Sequence, residues 1–307
     1  MMAGRRKSMS GSRPQLMRGT PPAFWILIVT CATPAFGADF TSHDHVPALQ
    51  RHLIRLFVEG GAPRNLDSDR PVTVLLNQGY VVGYCEARMN PVWSAYHVDK
   101  VLAYQGNQRV DLEIKHDRPV PFYTDERTAS KVDGAKTFKG FDRGHMTPNN
   151  AIQREFGRVA QMETFLMSNI CPQVHKLNSG LWRDLEHRIT DDLIEDRDDL
   201  WIIAGPNFSE NPPHVEGTNV HVPAGFYMLI ADRYYHPDLH RDTYHVIAFA
   251  FPNEGAALEG KSLSDFVKTV DQIEDLTKLD FFSELNDAEE GDLESSAADF
   301  DTWFANE

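Results

Sequence analysis

The chain has 307 residues, of which 41% are hydrophobic and 24% are charged, so it can form a sizeable core and is not a largely disordered protein. Its formal net charge of −15 argues against binding of nucleic acid through an overall positive charge, and its three cysteines lack zinc-finger spacing. The window 127–188 reverses the sign, with ten Lys or Arg against six Asp or Glu. Because salt screens distant charges, a charged substrate would respond mainly to this local surplus.

The N-terminal 37 residues have the composition of a secretory signal peptide. The first 38 residues contain five basic and no acidic side chains, and an apolar run at 23–33 precedes the small residues Ala35 and Gly37. This order predicts a signal peptide over 1–37 and a secreted or periplasmic protein. No stable membrane insertion is expected after cleavage, because eleven apolar residues are too few to span a bilayer. An uncleaved membrane anchor and a mitochondrial presequence are the alternatives.

Hydrophobic patterns predict one α+β domain over 38–283, with a mixed β-sheet core and flanking helices. Helices are predicted at 46–58, 153–162, 179–193 and 262–278, and a loop at 124–140. Strands are predicted at 71–77, 79–87, 92–98, 110–114, 165–173, 199–208, 225–232 and 244–252. No internal repeat and no Ser/Gly-rich linker divides this part of the sequence, so a single domain is the simplest interpretation.

Two small groups of residues leave alternatives open. Cys85 and Cys171 both lie in apolar, strand-like sequence, and in an exported protein they either pair or remain as buried thiols. His43 and His45 form a His-Asp-His motif near the predicted mature N-terminus. These histidines are interpreted as solvated side chains, with a metal site as the less favoured alternative.

Residues 284–307 form an acidic C-terminal tail. Between residues 280 and 307 the sequence contains ten Asp or Glu and no Lys or Arg. Such an excess of negative charge favours a disordered tail that increases solubility. The aromatic residues Phe300, Trp303 and Phe304 support the alternative, in which the tail docks and covers the basic part of the chain.

The segment 139–151 contains a single histidine beside an arginine. Asp142, Arg143, Gly144 and His145 follow one another and precede a Pro-Asn-Asn turn. No second histidine lies beside them at the spacing that a zinc site needs. A neutral imidazole accepts protons near pH 7, and a guanidinium binds phosphate through two hydrogen bonds. The pair therefore indicates a general base next to a negatively charged substrate.

A second polar group begins just before the helix predicted at 179–193. Asn178, Trp182 and Glu186 are four residues apart, which places them along one side of a helix. Their ordinary roles are an N-cap for Asn178 and a solvated position for Glu186. Their chemical roles would arise in phosphodiester hydrolysis, where Mg²⁺ needs few protein oxygen ligands and stabilises charge on the phosphate. One Asn carbonyl with a carboxylate behind it is sufficient for such a site.

The two segments together resemble a known family. DRGHMTPN at 142–149 and SNICPQVHKLNSGLWRDLE at 168–186 are similar to the DNA/RNA non-specific endonucleases, a ββα-metal (His-Me finger) family that includes endonuclease G. Further similarity extends through most of the mature chain, in GYVVGYCEARMNPVWSAY, WIIAGPNF, VPAGFYMLIAD and IEDLTKLDFF. DRGH alone is weakly specific, whereas DRGH with the second motif at this distance is strongly specific. The resemblance implies a ββα-metal motif within the α+β fold.

The resemblance also implies roles for the matching residues. His145 would be the general base. Asn178 would be the direct ligand of Mg²⁺ or Mn²⁺, and Glu186 would order water around the cation. Asn169 would orient the histidine or the phosphate, and Arg143 would face the phosphate.

One position departs from the family pattern. The family usually has an arginine four residues after the helix glutamate, where this chain has Thr190. Arg188 lies two residues earlier, a rotation of roughly 200° around the helix, so it is a poor substitute. Arg127 is the candidate for a second arginine that the family has upstream of the DRGH motif. Arg127 and Arg188 are both retained as candidates for substrate binding. Asp142 is assigned a structural part in the DRGH turn.

The implied function is a metal-dependent, sequence-nonspecific endonuclease that hydrolyses DNA and RNA to 5′-phosphate products. Contacts to the backbone rather than to base edges would give little sequence preference. DNA and RNA are the expected partners, and a homodimer is left open because the family includes homodimers. The competing hypothesis is a catalytically weakened nucleic-acid-binding protein or a toxin-like effector descended from the same family. A phosphodiesterase for smaller substrates is a further alternative.

Overall fold

The computed structural model describes residues 48–100, 103–105, 108–110, 118–119, 121–136, 138–197, 199–237 and 240–304. All of these residues belong to one unit, Asp39–Glu307. The predicted signal peptide at 1–37 and the pair His43 and His45 lie outside the described residues. Among the helices within those ranges, none is long and apolar enough to cross a membrane.

The secondary structure alternates strands with short helices. The strands are β1 (Arg64–Asn65), β2 (Thr73–Leu76), β3 (Val81–Cys85), β4 (Asn90–Asp99), β5 (Ala103–Gln105), β6 (Gln108–Val110), β7 (Asp142–His145), β8 (Ile170–Gln173), β9 (Asp199–Asn207), β10 (Gly225–His236), β11 (Arg241–Pro252), β12 (Val267–Lys268) and β13 (Leu279–Asp280). The α-helices are α1 (Ala48–Ile54), α2 (Asn149–Glu163), α3 (His175–Asn178), α4 (Leu181–Arg188), α5 (Ile194–Asp196), α6 (Val270–Thr277), α7 (Asp287–Glu294) and α8 (Phe300–Phe304). A π-helical turn at Ile189–Leu193 follows α4, and 3₁₀ turns occupy Met167–Asn169, Ala256–Leu258 and Leu263–Phe266.

A seven-stranded antiparallel sheet forms the centre of the fold, in the order β12-β11-β10-β9-β4-β3-β2. Side chains alternate between the two faces of each strand. On β10, Phe226 and Met228 contact one hydrophobic core, whereas Tyr227 and Leu229 contact the other. Side chains of α2, α4 and α8 complete the first core, and side chains of α1 and α6 complete the second. The predicted α+β class, with a sheet core and flanking helices, is confirmed.

Most of the predicted strands are present. β2, β3, β4, β8, β9, β10 and β11 overlap the predicted ranges. The loop predicted at 124–140 contains no helix or strand in residues 124–136 and 138–140. Apart from Val110 in β6, the strand predicted at 110–114 falls outside the described residues.

The single helix predicted at 262–278 is wrong. The 3₁₀ turn at Leu263–Phe266, the strand β12 and the helix α6 replace it. β12 pairs with β11 and extends the sheet by one strand. Capping boxes that begin at Ser262 and Thr269 start the turn and the helix separately. The helical spacing of the apolar residues does not reveal this pairing, because the partner strand is distant in sequence.

The acidic tail is ordered in residues 284–304, contrary to the interpretation favoured by its composition. Trp303 and Phe304 of α8 are buried in the core that α2 and α4 share. The guanidinium carbons of Arg197 and Arg188 lie 3.9 Å and 5.7 Å from the ring centroids of Trp303 and Phe304, respectively. Burial of two large aromatic rings and these cation–π contacts stabilise the docked tail despite its negative charge.

Cys85 and Cys171 are unpaired. Cys85 ends β3, Cys171 lies in β8, and both are free and buried. Burial raises the pKa of each thiol. A protonated, buried thiol is a weak nucleophile, so both cysteines are part of the packing.

Candidate active site

An antiparallel hairpin and the helices after it carry the predicted site residues. β7 pairs with β8, and His145 stands opposite Ile170. From β8 the chain passes into α3, which ends at Asn178, and then into α4, which carries Glu186. α3 also contacts β7, so the histidine strand and the asparagine helix form one ββα motif.

The hairpin requires a glycine beside the histidine. A Cβ atom on Gly144 would lie 2.3 Å from Oε1 of Gln173, a fully buried side chain of β8. Any larger residue would displace Gln173 and disturb the pairing that positions His145. Close approach of the two strands therefore explains why glycine separates Arg143 from His145.

The Asp142 carboxylate fixes the orientation of Asn178. Its Oδ2 accepts a hydrogen bond from Nδ2 of Asn178 at 2.9 Å and lies 2.8 Å from Nδ1 of His175. Because Asp142 holds the amide NH₂ group, the carbonyl oxygen of Asn178 points away from that carboxylate. Asn178 is therefore not an N-cap, and Gly180 occupies that position of α4 instead.

His145 lies in an aromatic and nearly dry environment. The residue is 8% exposed, and its ring centroid lies 5.5 Å from that of Phe122 and 4.9 Å from that of Phe165. Its Nε2 atom has no hydrogen-bond partner among the described residues. Burial, reinforced by the charges of Arg118 and Arg143, lowers the pKa of His145 to about 3. The imidazole is neutral at pH 7, which is the form that a general base requires.

Asn169 holds the backbone that follows His145. Its side chain is fully buried, accepts a hydrogen bond from the Thr147 N–H, and donates to the carbonyl oxygens of Thr147 and Thr164, each at 2.9 Å. The Met146 N–H donates to the backbone carbonyl oxygen of Asn169 at 3.0 Å. A fully buried amide with these partners does not reach a phosphate. Of the two roles expected for Asn169, the geometry supports positioning of the histidine.

Alanine at Asn169 is expected to lower the free energy of unfolding by about 3 kcal/mol, because buried backbone groups of Thr147 and Thr164 lose their partners. Below the unfolding temperature kcat should fall while KM changes little, since the side chain does not touch substrate. Urea unfolding and steady-state kinetics measure these effects. Asn150→Ala, at an exposed position of α2, is the matched control. An unchanged kcat in the Asn169 variant would contradict the positioning role.

Two guanidinium groups flank the histidine. The guanidinium carbon of Arg143 lies 3.9 Å from the ring centroid of Phe122, and that of Arg118 lies 5.4 Å from the ring centroid of Phe165. Both arginines contribute to the lowered pKa of His145. Burial first, and then the charge of Arg118, lowers the pKa of Arg143 as well. The aromatic rings thus hold two positive charges beside one imidazole.

Arg118 is a candidate residue that sequence analysis missed. It stands four residues before Phe122, in a proline-containing segment without helical or strand periodicity. An arginine four residues before a phenylalanine is only a weak indication of a functional residue. The contact with Phe165, which is distant in sequence, is what places Arg118 near His145.

Arg127, predicted to bind substrate, is instead part of a structural ion pair. Its Nε and Nη2 atoms donate to the Asp125 carboxylate at 2.9 Å and 2.7 Å. Its Nη1 and Nη2 atoms also donate to the Leu76 carbonyl and to Oδ1 of Asn77, each at 2.9 Å. Because these bonds engage the guanidinium within the protein, Arg127 is not placed to bind a phosphate beside His145.

Arg188, the other substrate-binding candidate, also points elsewhere. Its Nε donates to the Asp184 carboxylate one helical turn earlier, at 3.4 Å, and its guanidinium faces the Phe304 ring of the docked tail. Rotation around α4 directs this side chain toward the tail rather than toward Glu186.

Thr190 occupies a buried position in the π-helical turn at Ile189–Leu193. The Thr190 hydroxyl donates to the backbone carbonyl oxygen of Glu186 at 3.2 Å. A π-helical turn contains an extra residue, so it changes the direction in which the following side chains point. Thr190 carries no charge, so it does not replace the arginine that the family usually has at this position, and Arg118 and Arg143 are the guanidinium groups that lie beside His145.

Glu186 is half-buried and has one buried oxygen atom without a partner among the described residues. Burial raises the pKa of Glu186 to about 8, whereas the Trp182 indole and Arg118 act in the opposite direction. Its Oε1 atom has no hydrogen-bond partner among the described residues. The Tyr96 hydroxyl is also buried and unpartnered there, and the Glu186 carboxylate contributes to its raised pKa. Buried polar atoms of this kind need water or a cation as partners.

The oxygen atoms of the site fit a cation that prefers oxygen ligands. Asn178 presents a carbonyl oxygen whose amide is fixed by Asp142, and Glu186 presents an unpartnered carboxylate oxygen. Mg²⁺ keeps several waters and needs few protein ligands. Across the described ranges, none of these residues belongs to a group of three or more His, Cys, Asp or Glu at ligand spacing. The arrangement therefore fits Mg²⁺ better than zinc.

Known proteins with similar sequences are nucleases. The chain matches the DNA/RNA non-specific endonuclease family over residues 64–288. It is 28% identical to the human mitochondrial nuclease EXOG over 220 residues, which are 67% of this chain and 56% of the human protein. A mitochondrial nuclease of Saccharomyces cerevisiae is 27% identical over 231 residues, with 70% and 67% of the two chains covered. A nuclease of a Nostoc species is 26% identical over 253 residues, with 81% and 86% covered. The chain thus spans little more than half the length of human EXOG.

Proposed function

This chain belongs to the DNA/RNA non-specific endonuclease family, and we propose that it is a nuclease that hydrolyses phosphodiester bonds of DNA and RNA. One observation carries the proposal: the neutral, unpartnered imidazole of His145 lies in the same ββα motif as the fixed amide of Asn178. The related proteins from human, yeast and Nostoc are all named as nucleases, which supports the reaction class. Residues 38–283 form the proposed catalytic domain.

The protein side chains supply a base and positive charge. His145 accepts a proton from the attacking water, whose oxygen forms a new bond to phosphorus. The bond from phosphorus to the 3′ oxygen breaks, that oxygen leaves with the electron pair and takes a proton from water, and the products carry a 5′-phosphate and a 3′-hydroxyl. Arg143 and Arg118 bind the non-bridging oxygens and stabilise the negative charge that grows in the transition state. Asn169 keeps the His145 segment in place through backbone hydrogen bonds.

Mg²⁺ or Mn²⁺ is the proposed cofactor of this site. Asn178 would bind it directly through Oδ1, and Glu186 would hold it through water. The bound cation would supply positive charge to the phosphate and to the leaving oxygen. Asp142 orients the Asn178 ligand, and burial at the edge of the core restricts the Glu186 carboxylate.

Recognition of the backbone accounts for the proposed lack of sequence preference. Arg118 and Arg143 offer guanidinium groups, which bind phosphate oxygens that every nucleotide carries. The positive surplus in the window 127–188 attracts a polyanion although the whole chain is acidic. Both DNA and RNA satisfy these contacts.

Incubation of the purified protein with supercoiled plasmid and with RNA tests the proposal. With Mg²⁺ or Mn²⁺ present, the plasmid is expected to be nicked and the RNA degraded, leaving 5′-phosphate ends that end-group analysis identifies. EDTA should reduce both rates to background. Cleavage that persists in EDTA would refute the cation requirement. Failure to cleave either substrate with either cation would instead favour a weakened, nucleic-acid-binding descendant of the family.

Export to the periplasm or the medium is the proposed location. The composition of residues 1–37 supports it. The human and yeast relatives are named as mitochondrial, which supports a presequence as the alternative. N-terminal sequencing of the mature protein, with fractionation of the producing cell, distinguishes a cleaved signal peptide from a presequence and from a retained anchor.

A further inference from the structure

The helices α6 and α7 bring three carboxylates together outside the ββα motif. Asp271 and Glu274 belong to α6, and Glu294 is the last residue of α7. One oxygen atom from each residue lies within 4.8 Å of the other two. Within the described ranges, no Lys or Arg forms an ion pair with these three carboxylates, and the nearby Arg64 is paired with Asp280.

Glu294 shows that this cluster is more than a group of surface acids. The residue is 7% exposed, and its Oε1 atom has no hydrogen-bond partner among the described residues. A buried carboxylate next to like charges is strongly unfavourable unless a proton or a cation accompanies it.

We propose that Asp271, Glu274 and Glu294 form a Ca²⁺ site that joins α7 to α6. Ca²⁺ binds oxygen ligands at about 2.3–2.6 Å, so two ligands on opposite sides of the ion are about 4.6–5.2 Å apart. The three oxygen atoms lie within 4.8 Å of one another, which is close enough for one ion to bind all three. Ca²⁺ tolerates irregular coordination by carboxylates, whereas Mg²⁺ demands nearly octahedral geometry and keeps most of its waters, so Ca²⁺ suits this cluster better.

The chain prepares part of this site without the cation. The Phe281 N–H donates to Oε1 of Glu274 at 2.7 Å, which restricts that carboxylate. Glu294 is held by burial at the end of α7. Asp271 is exposed, so water completes the coordination from the solvent side. Three carboxylates with water ligands are typical of sites that bind Ca²⁺ in the range of about 10⁻⁴–10⁻³ M.

Ca²⁺ at this site would hold the C-terminal segment against the rest of the fold. α7 packs against the second hydrophobic core through Leu293. α8 comes after α7 in the sequence, and its aromatic side chains lie in the first core. The two positive charges of Ca²⁺ offset two of the three negative charges and so reduce the repulsion that opposes docking of α7. The site would thus add to the aromatic contacts of Trp303 and Phe304 that keep this segment packed on the protein.

Thermal unfolding of the full chain, with CaCl₂ or with EDTA, tests the proposal. At about 5 mM, Ca²⁺ is expected to raise the Tm of the wild type by about 3 °C, since an excess of roughly tenfold over Kd stabilises to that extent. Glu294→Gln and Asp271→Asn should abolish the shift. Asp292→Asn, an exposed position on α7 with the same change of charge, is the matched control and should keep it. Terbium luminescence, displaced by Ca²⁺, measures binding directly.

Asn178→Ala separates this site from the candidate active site. The variant is expected to keep the Ca²⁺ shift, because Asn178 takes no part in the carboxylate cluster. Loss of the shift in this variant would place the ion at the active site and overturn the proposal. So would the absence of a shift in the wild type, or an unchanged shift in both Glu294→Gln and Asp271→Asn. If Glu294→Gln does not fold, the exposed Asp271 decides, and none of these measurements requires nuclease activity.

Discussion

Alanine at His145 is expected to lower kcat for plasmid and RNA cleavage by about 10³-fold, because loss of a positioned general base costs about 10²–10⁴-fold. The neutral imidazole has an unpartnered Nε2 among the described residues, and the negative charge of a bound phosphate would raise its lowered pKa toward the range that a general base needs. His175, another histidine of the motif, lies against Asp142. Initial rates on a fluorogenic oligonucleotide at saturating Mg²⁺ measure the effect.

His187→Ala is the matched control for that experiment. His187 is an exposed residue of α4, and its replacement should change kcat by less than about 2-fold, as expected for a surface position. Because His145 packs between Phe122 and Phe165, its variant also loses stability, so rates are compared well below its unfolding temperature. A His145→Ala protein that keeps a tenth of the activity or more would refute the base assignment.

Alanine at Asn178 is expected to lower kcat/KM by about 10²–10³-fold and to raise the Mg²⁺ concentration needed for half-maximal rate. Its carbonyl is the proposed direct ligand, and a cation contributes several kcal/mol to stabilising transition-state charge. The Asp142 carboxylate remains in place but loses the hydrogen bond that the Asn178 amide donates. Initial rates against Mg²⁺ concentration, with calorimetric titration of Mg²⁺, measure both effects.

The two variants should differ in one respect that separates their roles. His145→Ala should bind Mg²⁺ as tightly as the wild type, whereas Asn178→Ala should not. Asn150→Ala, an exposed asparagine, serves as control and should keep both affinity and rate. An Asn178→Ala protein with unchanged Mg²⁺ dependence would show that the cation, if one is used, is held elsewhere.

The sequence alone was sufficient to predict most of the strands, and its resemblance to the DNA/RNA non-specific endonucleases implied the ββα motif. DRGH and the spacing of Asn178, Trp182 and Glu186 are local patterns, and short apolar runs predict buried strands whatever their partners. The family match is consistent with that local information. Local patterns were misleading at 262–278 and in the tail, where pairing with β11 and burial of Trp303 overrode helical spacing and charge.

The sequence by itself determined the fold class, and its resemblance to the family made His145, Asn178 and Glu186 the predicted site residues, because each belongs to a motif of the family at fixed spacing. Only the tertiary structure decided which arginines accompany them. Arg127 is engaged by Asp125, whereas Arg118 lies over the Phe165 ring next to His145. A guanidinium side chain is long and flexible, so its position depends on partners that are distant in sequence and that become neighbours only when the chain folds.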